Sequence, residues 1–146
     1  MASAETGTLS TRYTLDDQVG YLLRLASQRH AAIFQKTIAQ DLTPTQFSTL
    51  LRLHEAGEVS QNQLGRLAAI DIATIKGVVD RLRDKSLIET RPDPGDKRRS
   101  LISLSQEGRD LIATLERVGT EITEATLAPL DAAERTALIA LLRKIT

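Results

Sequence analysis

The chain contains no cysteine and no tryptophan, and only 3% of its 146 residues are aromatic. The absence of cysteine excludes disulfides, thiolate metal sites and thiol-based redox chemistry. The two histidines, His30 and His54, lie far apart in the chain, so we predict no metal site, and no cofactor motif is present. With so few aromatic side chains, the core has to be built from Leu, Ile, Val and Ala.

Long apolar runs are also missing. No stretch approaches the roughly 18 apolar residues of a membrane span, so no membrane partner is expected. The first residues, MASAETGTLSTR, lack the basic and apolar regions of a signal peptide, and we therefore predict a cytoplasmic protein. The chain has no P-loop, no G-x-G-x-x-G loop and no serine in a nucleophile elbow, so an enzyme is not expected.

The charges balance, with 19 basic and 19 acidic residues, but they are unevenly distributed. Residues 66–99 contain nine basic and six acidic residues. Phosphate binding requires a local basic surface rather than a basic protein. This segment is therefore where a polyanion would bind, although the excess of positive charge is too small to establish the partner by itself.

Most of the chain has the apolar spacing of amphipathic helices. Apolar residues recur with helical periodicity over residues 15–40. Capping residues then precede five further helical segments: Thr43 before 44–55, Ser60 before 61–68, Asp71 before 72–85, Ser105 before 106–128 and Asp131 before 132–144. Gln46 and Gln63 stand three residues after Thr43 and Ser60, which is the spacing of capping boxes.

A hairpin interrupts the helices. Residues 87–91 and 99–104 alternate apolar and polar positions, and residues 92–96 supply the turn. Two helices followed directly by a charged hairpin are typical of a winged helix-turn-helix, whose second helix and wing enter DNA grooves. The predicted fold is therefore mainly α with a small β-hairpin wing.

The helix predicted at 72–85 has two different faces. Its apolar residues share one side, and a small or polar set lies opposite or beside it: Ala73, Thr74, Lys76, Gly77 and Arg81. A mid-helix glycine costs about 1 kcal/mol relative to alanine, which is tolerated where a partner approaches the backbone. We predict that the small residues admit this helix to the major groove, where Thr74 and Lys76 reach base edges and Arg81 reaches phosphate. An ordinary amphipathic helix with an isolated glycine is the alternative.

The hairpin strengthens the prediction of DNA binding. Asp96 and Arg98 lie two residues apart and therefore on one side of the strand, so the carboxylate can orient the guanidinium toward a minor groove. Lys97 and Arg99 point the other way, toward phosphates. Ser60 and Gln61, at the start of the preceding helix, complete the predicted DNA contacts. A solvated, charged hairpin without a partner is the alternative.

The hairpin sequence DPGDKRRSLISLSQEG, at 93–108, resembles the wing of the MarR family of winged helix-turn-helix regulators. The sequences DIAT at 71–74 and DRL at 80–82 resemble further elements of that family, and the helical frame extends the likeness over nearly the whole chain. Small departures occur at positions where the family commonly has other residues: Ser86 (commonly Gly), Lys97, Arg99 and Ser100. None of them changes the Asp96–Arg98 pair.

The resemblance implies an obligate homodimer that binds a palindromic double-stranded DNA operator and releases it when a small ligand binds. It also implies that the first and last helices form the dimer, and their apolar stripes are hard to cover in a monomer this small. We therefore assign 1–14 to a flexible N-terminus, 15–40 and 106–146 to a helical dimerisation region, and 41–105 to the DNA-binding domain. A winged-helix protein-interaction module without sequence-specific DNA binding is the alternative function.

The first helix contains a local inconsistency, because Arg29 and His30 fall within its apolar stripe and a buried charge without a partner is costly. One hypothesis is that they bind an anionic aromatic effector whose apolar walls come from Tyr21, Phe34, Phe47, Leu50 and Leu51. Alternatively, Arg29 extends to the surface and His30 is an ordinary core or interface residue. The segment QVGYLLRLASQRHAAIF resembles the family branch that controls degradation of aromatic carboxylates, which implies a nicotinate-like or phenolic acid.

Overall fold

The structure is a computed structural model that describes residues 12–146, so residues 1–11 of the predicted flexible N-terminus lie outside it. The elements follow in the order 3-10 helix Leu15–Asp17, α1 Val19–Thr37, α2 Pro44–Ala56, β1 Val59–Ser60, α3 Gln61–Leu67, α4 Ile72–Asp84, β2 Ile88–Asp93, β3 Asp96–Leu104, α5 Gln106–Thr126 and α6 Ala132–Lys144. This order confirms the predicted fold. Among the described helices, none is both long and apolar enough to cross a membrane.

The predicted capping residues begin their helices as expected. In each case the side-chain oxygen accepts a backbone N–H from the third residue along: Thr43, Ser60, Asp71, Ser105 and Asp131. At α2 the capping box is complete, because the Gln46 side-chain oxygen also accepts the Thr43 backbone N–H. At α3 the structure shows only the bond from the Gln63 backbone N–H to the Ser60 side chain. The first helix begins later than predicted, because a separate 3-10 helix precedes α1.

The wing differs from its predicted boundaries. Its turn is only Pro94 and Gly95, since Asp93 pairs directly with Asp96. The sequence predicted a turn over residues 92–96, but Pro92 pairs with Ser100 in the ladder. A shift of register between Pro92 and Asp93 instead lets β2 continue past it. A third strand, β1, pairs with β3 on the other side and gives the antiparallel order β1–β3–β2; two residues are too short to show alternation in a sequence.

The core is aliphatic, as the composition predicted. The largest fully buried side chains come from α2, α3, α4, β3 and α5: Leu50, Leu53, Thr49, Leu64, Ile75, Leu82, Ile102 and Leu115. A smaller cluster formed by Phe34, Val118 and Ile122 joins α1 to α5. Phe34 meets Phe47 of α2 edge to face, with ring centroids 5.6 Å apart. The two clusters therefore meet at Phe47, which packs against both.

The helices at the two ends of the described chain share an apolar face that this protomer does not cover. No residue of α6 is fully buried, and Arg135 ties the helix to Glu124 and to the Leu130 carbonyl at 2.6 and 3.0 Å. An apolar groove lies between α1 and α6, lined by Val19, Leu22, Leu23, Ala26, Leu138, Leu141, Leu142, Lys144 and Ile145. An exposed apolar surface of this kind marks a protein–protein interface.

Asp71 holds the first turn of α4 through a charged cap. Its Oδ1 accepts the Thr74 amide at 2.8 Å, and hydrogen bonds from Thr74 are the main reason that the pKa of Asp71 lies below its usual value. A negative charge also suits the positive end of the helix dipole.

A pH titration tests this cap. Because the pKa of Asp71 is lower in the folded than in the unfolded chain, its charge stabilises the fold above the ordinary carboxyl pKa of about 4. This stabilisation is lost as the pH falls through the folded-state pKa. Asp71→Asn caps with a neutral oxygen, so we expect this variant to be less stable than the wild type at neutral pH. The difference between their free energies of unfolding should shrink in acid. A difference that is the same at every pH contradicts the charged cap.

Gly108 tests how tightly α5 packs on the hairpin. A Cβ built on Gly108 would lie 2.1 Å from the Leu87 carbonyl oxygen, a contact that only a backbone shift relieves. We expect Gly108→Ala to lower the free energy of unfolding by about 3 kcal/mol. Gly77→Ala in mid-α4 is the matched control, because the nearest atom is a flexible Arg81 nitrogen at 3.2 Å, and we expect it to be neutral or stabilising. Urea unfolding at one protein concentration measures both, and equal effects would contradict the packing argument.

Candidate nucleic-acid interface

Helix α4 divides into the two faces that its sequence predicts. Its buried side chains pack toward α2, α3 and β2: Ile75, Val78, Val79 and Leu82. The predicted contact residues stay outside this core, with Gly77 half-buried and the others exposed: Ala73, Thr74, Lys76 and Arg81. The fold therefore holds α4 by one side and leaves its first turn and opposite side free for a partner.

Lys76, one of these contact residues, already has a partner on the helix. Lys76 Nζ donates to Asp80 Oδ2 at 2.8 Å, and Arg83 donates to the other oxygen at 2.8 Å. The hydrogen bond from Lys76, followed by the charges of Lys76, Arg83 and Arg81, lowers the pKa of Asp80. The Lys76 side chain remains 72% exposed, so water competes for the pair and a DNA acceptor can replace Asp80.

Gly77 has a local role that the sequence did not reveal. The Arg81 guanidinium lies 3.2 Å from the position that a Cβ of Gly77 would occupy. The missing side chain therefore leaves room for Arg81 to fold over the helix in the free protein. This contact does not depend on a DNA groove, and it would have to open before DNA could approach the backbone at Gly77.

Asp96 organises the tip of the wing differently from the prediction. Its Oδ1 accepts the Arg98 amide at 3.0 Å, whereas the two guanidinium nitrogens nearest to it, from Arg98 and Arg99, stand at 3.5 and 3.6 Å. Those distances are too long for N–H···O hydrogen bonds. The Asp96 carboxylate therefore fixes the backbone of Arg98 by a hydrogen bond and forms only a long ion pair with its guanidinium, and the Arg98 side chain is 92% exposed.

The prediction that Arg99 points away from Asp96 is wrong. The strict alternation of a regular strand does not hold, because the register shift in the ladder leaves residues 97–99 without paired partners on β2. Arg99 Nε instead approaches Asp96 Oδ2. Lys97 is exposed, as expected.

A polar cleft, which we call the wing cleft, lies between α3 and β3 and encloses about 280 Å³. Its lining includes four of the predicted DNA contacts and three residues that the sequence reasoning missed: Ser60, Gln61, Arg98 and Arg99, with Asn62, Arg66 and Ser100. Asn62 and Arg66 stand four residues apart on α3 and so share a face. Three guanidinium groups around one concave surface can bind phosphate oxygens in pairs.

Asn62 and Arg66 also line a second concave surface, the α4 cleft, which includes Ile72, Ala73 and Thr74. The wing cleft and the α4 cleft therefore share a border on α3. The first turn of α4 and the arginines of the wing form one continuous surface.

Polar contacts join β2 to the residue before β1, and the end of α4 to the start of α2. Glu58, just before β1, accepts two bonds from Arg91 of β2 at 2.6 and 2.9 Å, and this contact lowers the pKa of Glu58 and raises that of Arg91. At the C-terminal end of α4, Lys85 donates to the Asp41 carbonyl and, at 3.1 Å, to Gln46 Oε1. Lys85 thereby joins α4 to the segment between α1 and α2.

Arg29 and His30 have a partner distant in sequence. The Arg29 guanidinium donates to the carbonyls of Thr126 and Ala125 at 2.6 and 3.0 Å, and His30 Nδ1 lies 2.8 Å from Thr126 Oγ1. These carbonyls end α5, where helix oxygens lack internal partners and the dipole favours a cation. The apparent inconsistency in the first helix is therefore resolved by capping of α5.

The predicted effector residues do not all lie together. Phe47 and Leu51 line an apolar groove of about 460 Å³ between α2 and α5, here called the α2–α5 groove. Phe34, at 3% exposure, packs in the core behind Phe47 and does not line it; Leu50 is fully buried as well. Tyr21 lies under Arg24, about 12 Å along α1 from Arg29.

The end of α5 brings Arg29 and His30 close to this groove. Thr123 lines the α2–α5 groove, and Thr126, which contacts both residues, follows one helical turn later. Arg29 and His30 therefore lie near the Thr123 end of the groove that Phe47 and Leu51 line, but they do not line it themselves. Tyr21 and Phe34 do not line this groove, because periodicity gives the face of a helix and not the depth of the packing.

Comparison with known proteins identifies the family. Residues 42–100 match the MarR family model. The chain is 42% identical over 137 residues to the HTH-type transcriptional repressor NicR of Pseudomonas putida, covering 93% of this chain and 87% of the relative.

Two solved structures have the same fold. A probable transcriptional regulator from Pseudomonas aeruginosa has a TM-score of 0.88 and 49% identity, covering 91% of this chain and 100% of that one. BpsR of Bordetella bronchiseptica, whose DNA binding is regulated by 6-hydroxynicotinic acid, has a TM-score of 0.86 and 41% identity over 92% of this chain and 96% of its own. The resemblance of the wing sequence is thus confirmed, and the chain belongs to the MarR family of transcriptional regulators.

Proposed function

We propose that the protein is a ligand-responsive repressor that binds a palindromic DNA operator as a homodimer and releases it on binding a small aromatic acid. The observation that carries DNA binding is the continuous surface from the wing arginines through Asn62 and Arg66 to the first turn of α4. Family membership assigns the protein to regulators rather than enzymes, and a regulator of this kind works in the cytoplasm.

Each part of the surface suits a different part of the duplex. The first turn of α4 enters the major groove, where Thr74 and Lys76 meet base edges and the small Ala73 permits a close approach. Arg98 extends from the wing into a minor groove, whose negative potential attracts arginine. The remaining residues bind phosphates and set the register: Ser60, Gln61, Arg66, Arg81, Lys97 and Arg99.

The apolar face of α1 and α6 supports the homodimer. Covering it with the same face of a second copy removes the exposed side chains of both protomers from water. A twofold axis would also place two copies of α4 on successive turns of the major groove, which is why the operator is expected to be palindromic.

Truncation of Arg98 tests DNA binding against the alternative of a protein-interaction module. We expect Arg98→Ala to weaken binding to DNA fragments that the wild type enriches from its genome, by about tenfold, and to make binding less dependent on salt. Arg117→Ala is the control, since Arg117 is exposed on α5 in a pair with Glu121. Anisotropy at two salt concentrations measures both variants. If the protein is an interaction module, the wild type enriches no DNA. If DNA is enriched but Arg98→Ala binds it as tightly as the wild type, the wing does not contact DNA through Arg98.

The effector site is proposed at the α2–α5 groove. The apolar walls at Phe47 and Leu51 suit an aromatic ring, and a carboxylate at the end of the groove would replace the Thr126 and Ala125 carbonyls as the partner of Arg29, beside His30. The names of two relatives, a repressor called NicR and a BpsR regulated by 6-hydroxynicotinic acid, favour a nicotinate-like acid over a phenolic acid.

The groove lies where a ligand can influence α4. A ring between α2 and α5 changes the position of α2, which carries Gln46, and Gln46 contacts Lys85 at the end of α4. The effector thereby favours an orientation of α4 that does not fit the operator. The loss of DNA affinity depends on how much more tightly the ligand binds this orientation than the operator-binding one.

Calorimetry with 6-hydroxynicotinate, nicotinate and 4-hydroxybenzoate tests this site. We expect Arg29→Ala and His30→Ala each to weaken binding of the preferred acid by about tenfold or more, because a charge-assisted hydrogen bond is lost. Gln28→Ala, on the exposed side of α1, is expected to bind normally. Thermal unfolding checks that each variant is folded. Unchanged affinity in both variants rules out the assignment.

A further inference from the structure

The first residue of α4 is a large apolar side chain that the protein does not bury. Ile72 is 76% exposed, the largest fraction among the exposed large hydrophobic residues of the described chain. It belongs to neither core cluster. It also lies away from the apolar face that a second protomer would cover, because that face is formed by α1 and α6, whereas α4 packs on α2, α3 and β2.

The surroundings of Ile72 are those of the proposed DNA interface. It lines the α4 cleft together with Asn62 and Arg66 of α3 and with Ala73 and Thr74. The charged cap of Asp71 precedes it and fixes the start of the helix. The position of the Ile72 backbone is therefore well defined, and its side chain projects into the surface that faces the duplex.

We infer that Ile72 determines operator specificity by contacting the C5-methyl group of a thymine in each half-site; this inference rests on the proposed DNA-binding function. In the major groove the thymine methyl is the apolar group that marks one base pair, while the other base edges present hydrogen-bond donors and acceptors. Ile72 has no donor or acceptor with which to bind a phosphate or a polar base edge. The N-terminal residues of a recognition helix are those that reach the bases.

The polar neighbours fit this assignment. Lys76 can read hydrogen-bonding groups and Arg66 can bind the backbone, but neither packs against a methyl group. Ala73 and the Thr74 methyl group offer small apolar contacts beside Ile72, which presents the largest apolar side chain of this turn. Apolar contact of Ile72 with thymine therefore adds a base-pair preference to the hydrogen bonds that Thr74 and Lys76 can make. The matching base pair in each half-site is expected to be A·T.

The experiment removes one methyl group from the DNA. Duplexes that the wild type enriches from random-sequence DNA are resynthesised with each thymine of the half-site replaced in turn by deoxyuridine, which keeps base pairing and the sugar unchanged. Affinities are measured by anisotropy at one salt concentration. At one thymine we expect replacement in one half-site to weaken wild-type binding by about fourfold, the value of one buried methyl group.

Protein variants test whether Ile72 is the side chain that contacts this methyl group. We expect Ile72→Ala to bind the thymine duplex more weakly than the wild type and to show no further loss with deoxyuridine at that position. Ile72→Val, which retains methyl groups on Cβ, is expected to keep part of the sensitivity. Arg98→Ala should bind more weakly but keep the full sensitivity to deoxyuridine, because it contacts another part of the DNA.

The outcomes separate this inference from the proposed function. If duplexes are enriched but no thymine is sensitive, or if wild type and Ile72→Ala lose the same affinity at the same thymine, Ile72 does not read the methyl group while DNA binding stands. If no duplex is enriched at all, the proposed function fails and the inference fails with it.

Discussion

The position of α4 depends on one constraint: four aliphatic side chains of this helix must stay in the core while its first turn stays in solvent. Ile75, Val78, Val79 and Leu82 meet this requirement because they recur on one side of a helix. The Asp71 cap fixes where the helix begins and Lys85 fixes where its far end lies. The surface from α4 to the wing exists only because these contacts hold α4 beside α3.

Two basic residues join segments that are distant in the sequence by binding backbone carbonyls. Lys85 joins the end of α4 to the carbonyl of Asp41, between α1 and α2, and Arg29 joins α1 to the end of α5. The two cations bind carbonyl oxygens at the end of α5 and in the segment between α1 and α2, outside the regular part of the helices. A ligand that competes for Arg29 would thus act on a contact that the fold already uses.

The sequence predicted what is encoded locally. Capping residues, the two faces of α4 and the wing motif are set by neighbours within a few positions, and the structure bears them out. Contacts between distant segments could not be predicted, which is why the partner of Arg29, 97 residues away, was missed. Arg66 and Asn62 were missed for the same reason, because their place in the wing cleft depends on where β3 packs. The predicted role of Asp96 was only partly correct, since Arg99 approaches it as well, where the register shift interrupts the regular alternation of β3.

In the free protein, two side chains of the proposed DNA-binding surface already contact other residues of α4. Lys76 is paired with Asp80, and Arg81 lies over Gly77. Both contacts are exposed and therefore easily given up, but each is given up only where DNA provides a better partner. In the proposed complex, a base acceptor at the right depth would replace Asp80 as the partner of Lys76, whereas phosphate contacts alone carry no base information. Such a replacement would favour the operator over other DNA at a small cost in affinity.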